Sequence, residues 1–292
     1  GLEISALWKD RIGKDIGYYV SANVATLRNR LTNIGAANPD GSKPVWTYED
    51  DYHYKELTPY RSSEGKPLYS YYLLRTDGVF QTDAEAAAYV NSNGQRLQPK
   101  AKAGDLKFVD IDQNGSIGEG DYEFRGNAMP KMTYAFSAGF SYKKFSFDFM
   151  FQGSYGAKLF NAYKYTTLNE AVGSFNRSEK ILKALEGPTY DVPRISMTDD
   201  NDNFGRISDW YLESGSYLRM KNISISYSFS DLLRKLAFFN QRQSTLDLTL
   251  SCDNLFTITP YSGIDPEVGG VGLDCGQYPV SRTISLGVKI KF

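Results

Sequence analysis

The sequence contains no long hydrophobic run. No stretch of about 18 apolar residues, the length that a transmembrane helix requires, occurs among its 292 residues. A helical membrane span is therefore excluded. The same observation leaves a membrane β-barrel open, because the strands of such a barrel are only half apolar.

Histidine and cysteine are scarce. His53 is the only histidine, which argues against a His-based catalytic triad or zinc site. Cys252 and Cys275 are too few for a disulfide framework, and their spacing does not match a metal-ligand pair. Cys252 is interpreted as a small apolar side chain, and a bridge to Cys275 is the alternative.

An excess of charge of either sign is also missing. The 33 basic and 34 acidic residues nearly cancel, so no strong field for nucleic acid is expected. No pair of carboxylates is distinguished by its surroundings as a glycosidase pair would be. Nothing in the sequence therefore indicates an enzyme.

Aromatic residues are abundant, with 22 Tyr and 17 Phe, and they follow a clear pattern in residues 132–153. Large apolar side chains alternate with small or polar ones on both sides of Lys143 and Lys144, which predicts a β-hairpin with a very tight turn. Each arm has about nine to eleven residues, enough for a tilted strand to cross a bilayer. One face is expected to contact lipid, and it carries Phe145, Phe147, Phe149 and Phe151. The other is expected to line a watery lumen, and it carries Ser146, Asp148 and Gln152.

Further segments alternate in the same way, at residues 2–8, 16–25, 223–229, 245–251 and 284–292. The pattern predicts an all-β fold of about seven antiparallel spanning strands. Short connections at residues 9–15, 143–144 and 230–243 alternate with long ones at 29–131, 154–215 and 255–280. Membrane barrels sort their loops in this manner, with short turns on the periplasmic side and long loops outside, so the long segments are expected to be extracellular.

Three short helices are predicted within the connections. Thr82 and Glu85 form a capping-box pattern before a helix expected to end near Asn93. Residues 178–186 form the second, and Ser230 is expected to cap the third, at residues 230–236. The acidic run at residues 199–202 is interpreted as a solvated loop.

Several separate motifs, in this order along nearly the whole chain, resemble the SusC/RagA family of TonB-dependent outer-membrane transporters of Bacteroidetes. They are residues 104–108 running into 110–115, Gly126-Asn127, the Phe-rich hairpin ending in Phe151-Gln152-Gly153, residues 217–222, residues 253–257, Asp265-Pro266-Glu267 and Tyr278-Pro279.

The resemblance implies a 22-stranded barrel that is blocked by an N-terminal plug and opened when TonB pulls on that plug. It also implies a SusD-like surface lipoprotein as partner and oligosaccharides or peptides as cargo. The chain opens on Gly1 without an initiator Met, and it is expected to be the C-terminal part of such a protein, without plug or TonB-contacting segment. The terminal Phe292 resembles the signal by which outer-membrane barrels are recognised for assembly.

Residues 110–121 match the pattern of a calcium-binding loop. Asp110, Asp112, Asn114, Ser116 and Asp121 stand at positions 1, 3, 5, 7 and 12 of that pattern, with Gly115 at the sharp turn. Side-chain oxygens at alternate positions suit a hard cation such as Ca²⁺. The twelfth residue is Asp instead of the usual Glu, and Gly118 offers no side chain, so weak binding is expected. An Asx-rich turn that satisfies its own backbone is the alternative.

The two ends of the predicted sheet carry a further expectation. The smallest common membrane barrel has about eight strands, so about seven strands are too few to close one. Residues 2–9 and 281–292 should therefore lie at opposite edges of an open sheet and not pair with each other. A secreted, calcium-dependent carbohydrate-binding or adhesive β-domain is the alternative function. It explains the calcium-like loop but neither the sorted loops nor the terminal Phe.

Overall fold

A computed structural model describes residues 1–48, 51–173, 175–229 and 245–291, and the fold is all-β, as predicted. The strands are β1 Leu2–Ile12, β2 Ile16–Thr26, β3 Val45–Thr47, β4 Tyr60–Ser63, β5 Ser70–Leu74, β6 Thr76–Val79, β7 Leu106–Phe108, β8 Tyr122–Gly126, β9 Met132–Tyr142, β10 Phe145–Tyr155, β11 Lys158–Asn161, β12 Leu212–Ser214, β13 Tyr217–Ser228, β14 Thr245–Ile258, β15 Leu273–Asp274 and β16 Thr283–Lys291. The helices are α1 Asp83–Ala88, α2 Tyr163–Leu168 and α3 Lys183–Glu186, with 3₁₀ helices at Glu119–Asp121, Glu179–Leu182 and Asp209–Tyr211.

Seven of these strands form one antiparallel sheet in the order β1-β2-β9-β10-β13-β14-β16. Within the described residues β1 and β16 lie at opposite edges and do not pair, which confirms the predicted open sheet. Because each strand neighbours the next one along this order, the connections alternate between the two ends of the sheet. The three long connections, residues 27–131, 156–216 and 259–282, all leave from the same end.

The central hairpin shows how the alternating pattern sets the register. Phe147 of β10 lies opposite Phe140 of β9 and Ile225 of β13, so apolar side chains meet across three strands. Ser146 lies opposite Ser141 and so belongs to the polar face. The tight turn is possible because Lys143 adopts a left-handed φ of 53°.

The apolar face of this sheet is exposed along its length. Ile4 on one edge is 59% exposed and Leu286 on the other is 74% exposed, whereas a water-soluble sheet would cover such a face with a second layer. No helix in the described ranges is long and apolar enough to cross a membrane.

Some predicted boundaries were wrong. β1 continues to Ile12, because its charged end still pairs with β2 through Ile12 and Ile16, so the turn shrinks to residues 13–15. α1 begins at the Thr82 cap as predicted but ends at Ala88, since Asn91 accepts hydrogen bonds from the backbone of Asn93 and Gln95 and closes a turn there. The predicted 230–236 helix and the terminal Phe292 lie outside the described residues.

The long connections fold together into what we term the loop layer, the part of residues 27–131, 156–216 and 259–282 that shares one hydrophobic core. Its fully buried members come from the first two connections, and Val271 and Leu273 of the third pack against them. Tyr71, which is fully buried, donates its hydroxyl proton towards the carbonyl oxygens of Lys158 (3.1 Å) and Gly272 (3.1 Å). One side chain thereby links all three connections.

Candidate functional site

The Asp-rich segment runs from the end of β7 to the 3₁₀ helix Glu119–Asp121 and folds around its own carboxylates. Asp121 is buried, and its carboxylate accepts hydrogen bonds from the backbone N–H groups of Ile111 (2.6 Å) and Gly118 (2.7 Å). Asp110 accepts the N–H of Gly115 (2.9 Å) through Oδ2. These bonds fix the loop so that its first and last acidic residues approach each other.

Asp110, Asp112 and Asp121 each place one oxygen within 4.8 Å of the others, so the structure brings three of the five predicted ligands together. The other two, Asn114 and Ser116, bond to each other through Asn114 Oδ1 and the Ser116 hydroxyl (2.7 Å). Asp110 Oδ1 is buried and has no hydrogen-bond partner among the described residues. A buried carboxylate oxygen without a donor is costly, and a cation would satisfy it.

Gly120 leaves the space that one of these carboxylates occupies. A Cβ atom at Gly120 would overlap Asp112 Oδ2, so only glycine lets this carboxylate take its place beside the 3₁₀ helix. The sequence pattern identified the carboxylates but not this requirement, because Gly120 lies outside the invariant positions of the calcium-loop pattern.

A second polar cluster joins the sheet to the third long connection. Arg219 of β13 is buried and forms ion pairs with Asp265 (2.7 Å) and Glu267. Glu267 also accepts hydrogen bonds from Gln152 (2.9 Å) and Tyr217 (2.8 Å). The residues of two separate family-like motifs, 217–222 and 265–267, therefore meet in one network, which we term the Arg219 cluster.

A β-bulge directs Arg219 into this cluster. Met150 pairs with Asn222 whereas Phe151 pairs with Met220, so Lys221 has no partner on β10. The unpaired residue shifts the alternation by one, as bulges do, and Arg219 joins the polar face while Met220 joins the apolar one. Alternation read from Ile223 backwards would have placed Arg219 on the apolar face, which is why sequence reasoning assigned it no role.

The loop layer contains a cavity of about 650 Å³ beside α2, which we term the α2 cavity. Lys164 lines it with a side chain only 15% exposed and bonds to Glu213 Oε1 (2.9 Å) and the carbonyl oxygen of Trp210 (2.9 Å). Burial lowers the pKa of Lys164, whereas Glu213 opposes that shift. The ammonium also lies 4.5 Å from the centre of the Trp210 ring.

The remaining sequence assignments have structural explanations. His53 is exposed and donates its Nδ1 proton to the carbonyl oxygen of Lys55 (2.9 Å), so it is a bystander. Both cysteines are free, and Cys252 lies opposite Ile223 on the apolar face. Of the acidic run, Asp200 and Asp202 are exposed as predicted, but Asp199 was wrongly interpreted as solvated: it is partly buried and accepts the N–H groups of Asn203 (2.9 Å) and Phe204 (2.9 Å).

The sequence of the chain is similar to those of TonB-dependent receptors. The chain is 28% identical over 307 residues to TonB-dependent receptor P3 of Formosa agariphila, covering 100% of the chain and 28% of that receptor. It is 30% identical over 216 residues to receptor P26 of the same organism (67% and 20%), and 22% identical over 296 residues to TonB-dependent receptor SusC of Bacteroides thetaiotaomicron (100% and 26%). No protein-family model matches.

Solved structures give the same class of fold. The structure of the RagAB peptide importer in its open-open state matches with a TM-score of 0.71 and 22% identity, over 99% of this chain and 28% of that one. The structure of the RagAB peptide transporter matches with a TM-score of 0.70 and 23% identity, over 99% and 29%. The fold is a segment of a transporter β-barrel.

The chain belongs to the SusC/RagA family of TonB-dependent receptors. It spans between about a fifth and a third of the length of the relatives that it matches.

Proposed function

We propose that the chain is part of an outer-membrane transporter that imports oligosaccharides or peptides with energy from TonB. The observation that carries the proposal is the seven-stranded sheet with one exposed apolar face, one polar face and all three long connections at one end. A barrel wall in a bilayer needs the two different faces, since lipid covers the outer one and water fills the lumen, and outer-membrane barrels typically gather their long connections at one end.

We place the loop layer on the extracellular side, where it meets a SusD-like lipoprotein that captures cargo. The support is its size and its folded core, which make it a rigid surface instead of a set of mobile loops. The turn at residues 13–15 and the turn at 143–144 then lie on the periplasmic side. The alternative, a secreted adhesive domain, leaves the exposed apolar face without a function.

The test is a deletion of the gene in the source bacterium, complemented by an affinity-tagged copy. We expect the deletion strain to lose growth on a defined oligosaccharide or peptide mixture, and the tagged protein to be recovered from outer-membrane fractions together with a surface lipoprotein. Recovery in the culture medium without any lipoprotein would support the adhesive domain and contradict the transporter.

We also propose that residues 110–121 bind Ca²⁺ weakly. The support is the convergence of Asp110, Asp112 and Asp121 and the unpartnered, buried Asp110 Oδ1. The donors are carboxylate oxygens, which Ca²⁺ prefers. The bound ion would hold β7 against the 3₁₀ helix and so stabilise one part of the loop layer.

Gly120→Ala tests this site because its Cβ would displace the Asp112 carboxylate without straining the backbone. We expect Ca²⁺ to raise the melting temperature of the wild-type transporter and to have a smaller effect on this variant. The matched control is Gly118→Ala, whose Cβ meets no atom within 4 Å. Equal responses to Ca²⁺ in wild type and Gly120→Ala would leave the Asx-rich turn as the correct interpretation.

A further inference from the structure

The α2 cavity has the size of a ligand site. Its volume of about 650 Å³ falls within the range of about 300–1,000 Å³ typical of small-molecule sites. Its wall combines the partly exposed rings of Tyr163 and Tyr190 with charged side chains. All of its lining residues belong to the loop layer, which the proposed function places in the path of incoming cargo.

The carboxylates in the wall are already neutralised. Glu213 pairs with Lys164 (2.9 Å) and Asp191 pairs with Lys183 (2.9 Å). Asp209 pairs with Arg125 (2.8 Å), a residue that does not line the cavity, and accepts a hydrogen bond from the Thr76 hydroxyl (2.6 Å). A positively charged group of a ligand would therefore find no unpaired carboxylate among the described lining residues.

The cations in the wall are not all neutralised. Lys180 forms no ion pair within the described part of the chain, and its ammonium has only the carbonyl oxygen of Ser262 at 3.3 Å. Lys164 uses two of its three N–H donors, for Glu213 and the Trp210 carbonyl, and the third has no acceptor in the described residues. Two ammonium groups with unused donors thus line the same cavity.

We propose that the α2 cavity binds the carboxylate group of a transported ligand, held by Lys180 and the free N–H donor of Lys164, with Tyr163 and Tyr190 packing against the ligand body. A charge-assisted hydrogen bond to a partly buried ammonium is the interaction that distinguishes a carboxylate from a neutral group. The carboxylate can come from a peptide or from a uronic-acid sugar. The inference rests on the proposed import function.

The experiment measures binding to the intact transporter in detergent with two matched pairs of probes. One pair is N-acetyl-tetraalanine with a free carboxylate and the same peptide as its amide; the other is tri-galacturonate and neutral galactotriose. We expect the carboxylate member of one pair to bind about tenfold more tightly than its neutral counterpart, with a preference that weakens in high salt. The pair that shows the preference identifies the ligand as peptide or sugar.

Lys180→Met is the decisive variant, because this side chain is exposed and its removal leaves the core intact. It should abolish most of the carboxylate preference, as should Lys164→Met, whereas Lys100→Met, an exposed lysine outside the cavity, should retain it. The inference is overturned if neither pair shows a preference or if the preference survives in Lys180→Met. Loss of growth in the deletion strain tests import separately, so a transporter that imports without this preference would refute the cavity assignment alone.

Discussion

Cys252 and Cys275 illustrate how two identical side chains acquire different chemistry from their surroundings. Cys252 lies among apolar side chains on β14, whereas Cys275 follows β15 in the loop layer and is exposed. Burial raises the pKa of the Cys275 thiol, and the neighbouring Asp274 carboxylate raises it further. The thiolate, which is the reactive form, is therefore scarce at neutral pH even though the residue as a whole is exposed.

We expect a membrane-impermeant maleimide to label the transporter slowly at Cys275 and not at Cys252. The labelling rate should rise with pH and reach half its maximum above the ordinary thiol pKa of about 8.5. Mass spectrometry of the purified protein after labelling over a pH series measures both the site and the rate, with Cys275→Ser as the control. Fast labelling at neutral pH, or labelling of Cys252, would contradict this environment.

The strand β10 allows the two faces of the sheet to be compared at neighbouring positions. Phe147 lies on the apolar face, and Ser146 lies on the polar one. Arg in place of Phe147 should cost about 2–4 kcal/mol of stability near the membrane midplane, and Arg in place of Ser146 much less, because only the former is forced into hydrocarbon. The measurement is unfolding of the transporter by urea in lipid vesicles, and equal penalties on both faces would refute the membrane assignment.

The third long connection is held to the sheet through Asp265. Burial alone would raise the pKa of this carboxyl, but the N–H groups of Glu267 (2.9 Å) and Val280 (3.0 Å) and the Arg219 guanidinium outweigh burial and lower it. A carboxyl with a lowered folded-state pKa contributes its full stability above its unfolded pKa of about 3.9 and loses it as the pH falls through the folded value.

We therefore expect the amides of residues 259–282 to keep their protection from hydrogen exchange, measured against the intrinsic rate at each pH, down to about pH 4 and to lose it only in more acidic solution. Asp265→Asn should show the faster exchange already at neutral pH, since the ion pair with Arg219 is lost. Rapid exchange of wild type near neutral pH would show that another contact holds this connection.

The strands were predictable from the sequence because a period of two is a local property, and each of the seven spanning strands carries it. The loop layer was not predictable to the same degree. Its core depends on contacts such as that between the Tyr71 hydroxyl and the Gly272 carbonyl, 201 residues apart, which leave no local pattern. The Asp-rich segment was found because its ligands follow one another in 12 positions, whereas the α2 cavity draws its lysines and carboxylates from separate segments.

The open sheet as a unit predicts how the 292-residue chain behaves when it is produced alone. Its exposed apolar face and its two edge strands, β1 and β16, whose outer sides pair with no described strand, both favour association in water. We expect size-exclusion chromatography to show aggregates without detergent and smaller, more uniform particles with it. A monodisperse monomer in detergent-free buffer would mean that another surface covers the apolar face.

Lys221 is one extra residue in β13, a strand whose side chains alternate between two faces with a period of two. On one side of it Ile223 and Ile225 are apolar-facing odd positions, and on the other side Met220 is an apolar-facing even position. Deleting Lys221 would therefore remove the bulge opposite β10 and leave both faces unchanged, because Asn222 and Met220 would then be neighbours opposite Met150 and Phe151. If Lys221 instead paired regularly with β10, Arg219 would enter hydrocarbon and Met220 the polar cluster, so the bulge itself, and not the Lys221 side chain, keeps Arg219 in its cluster.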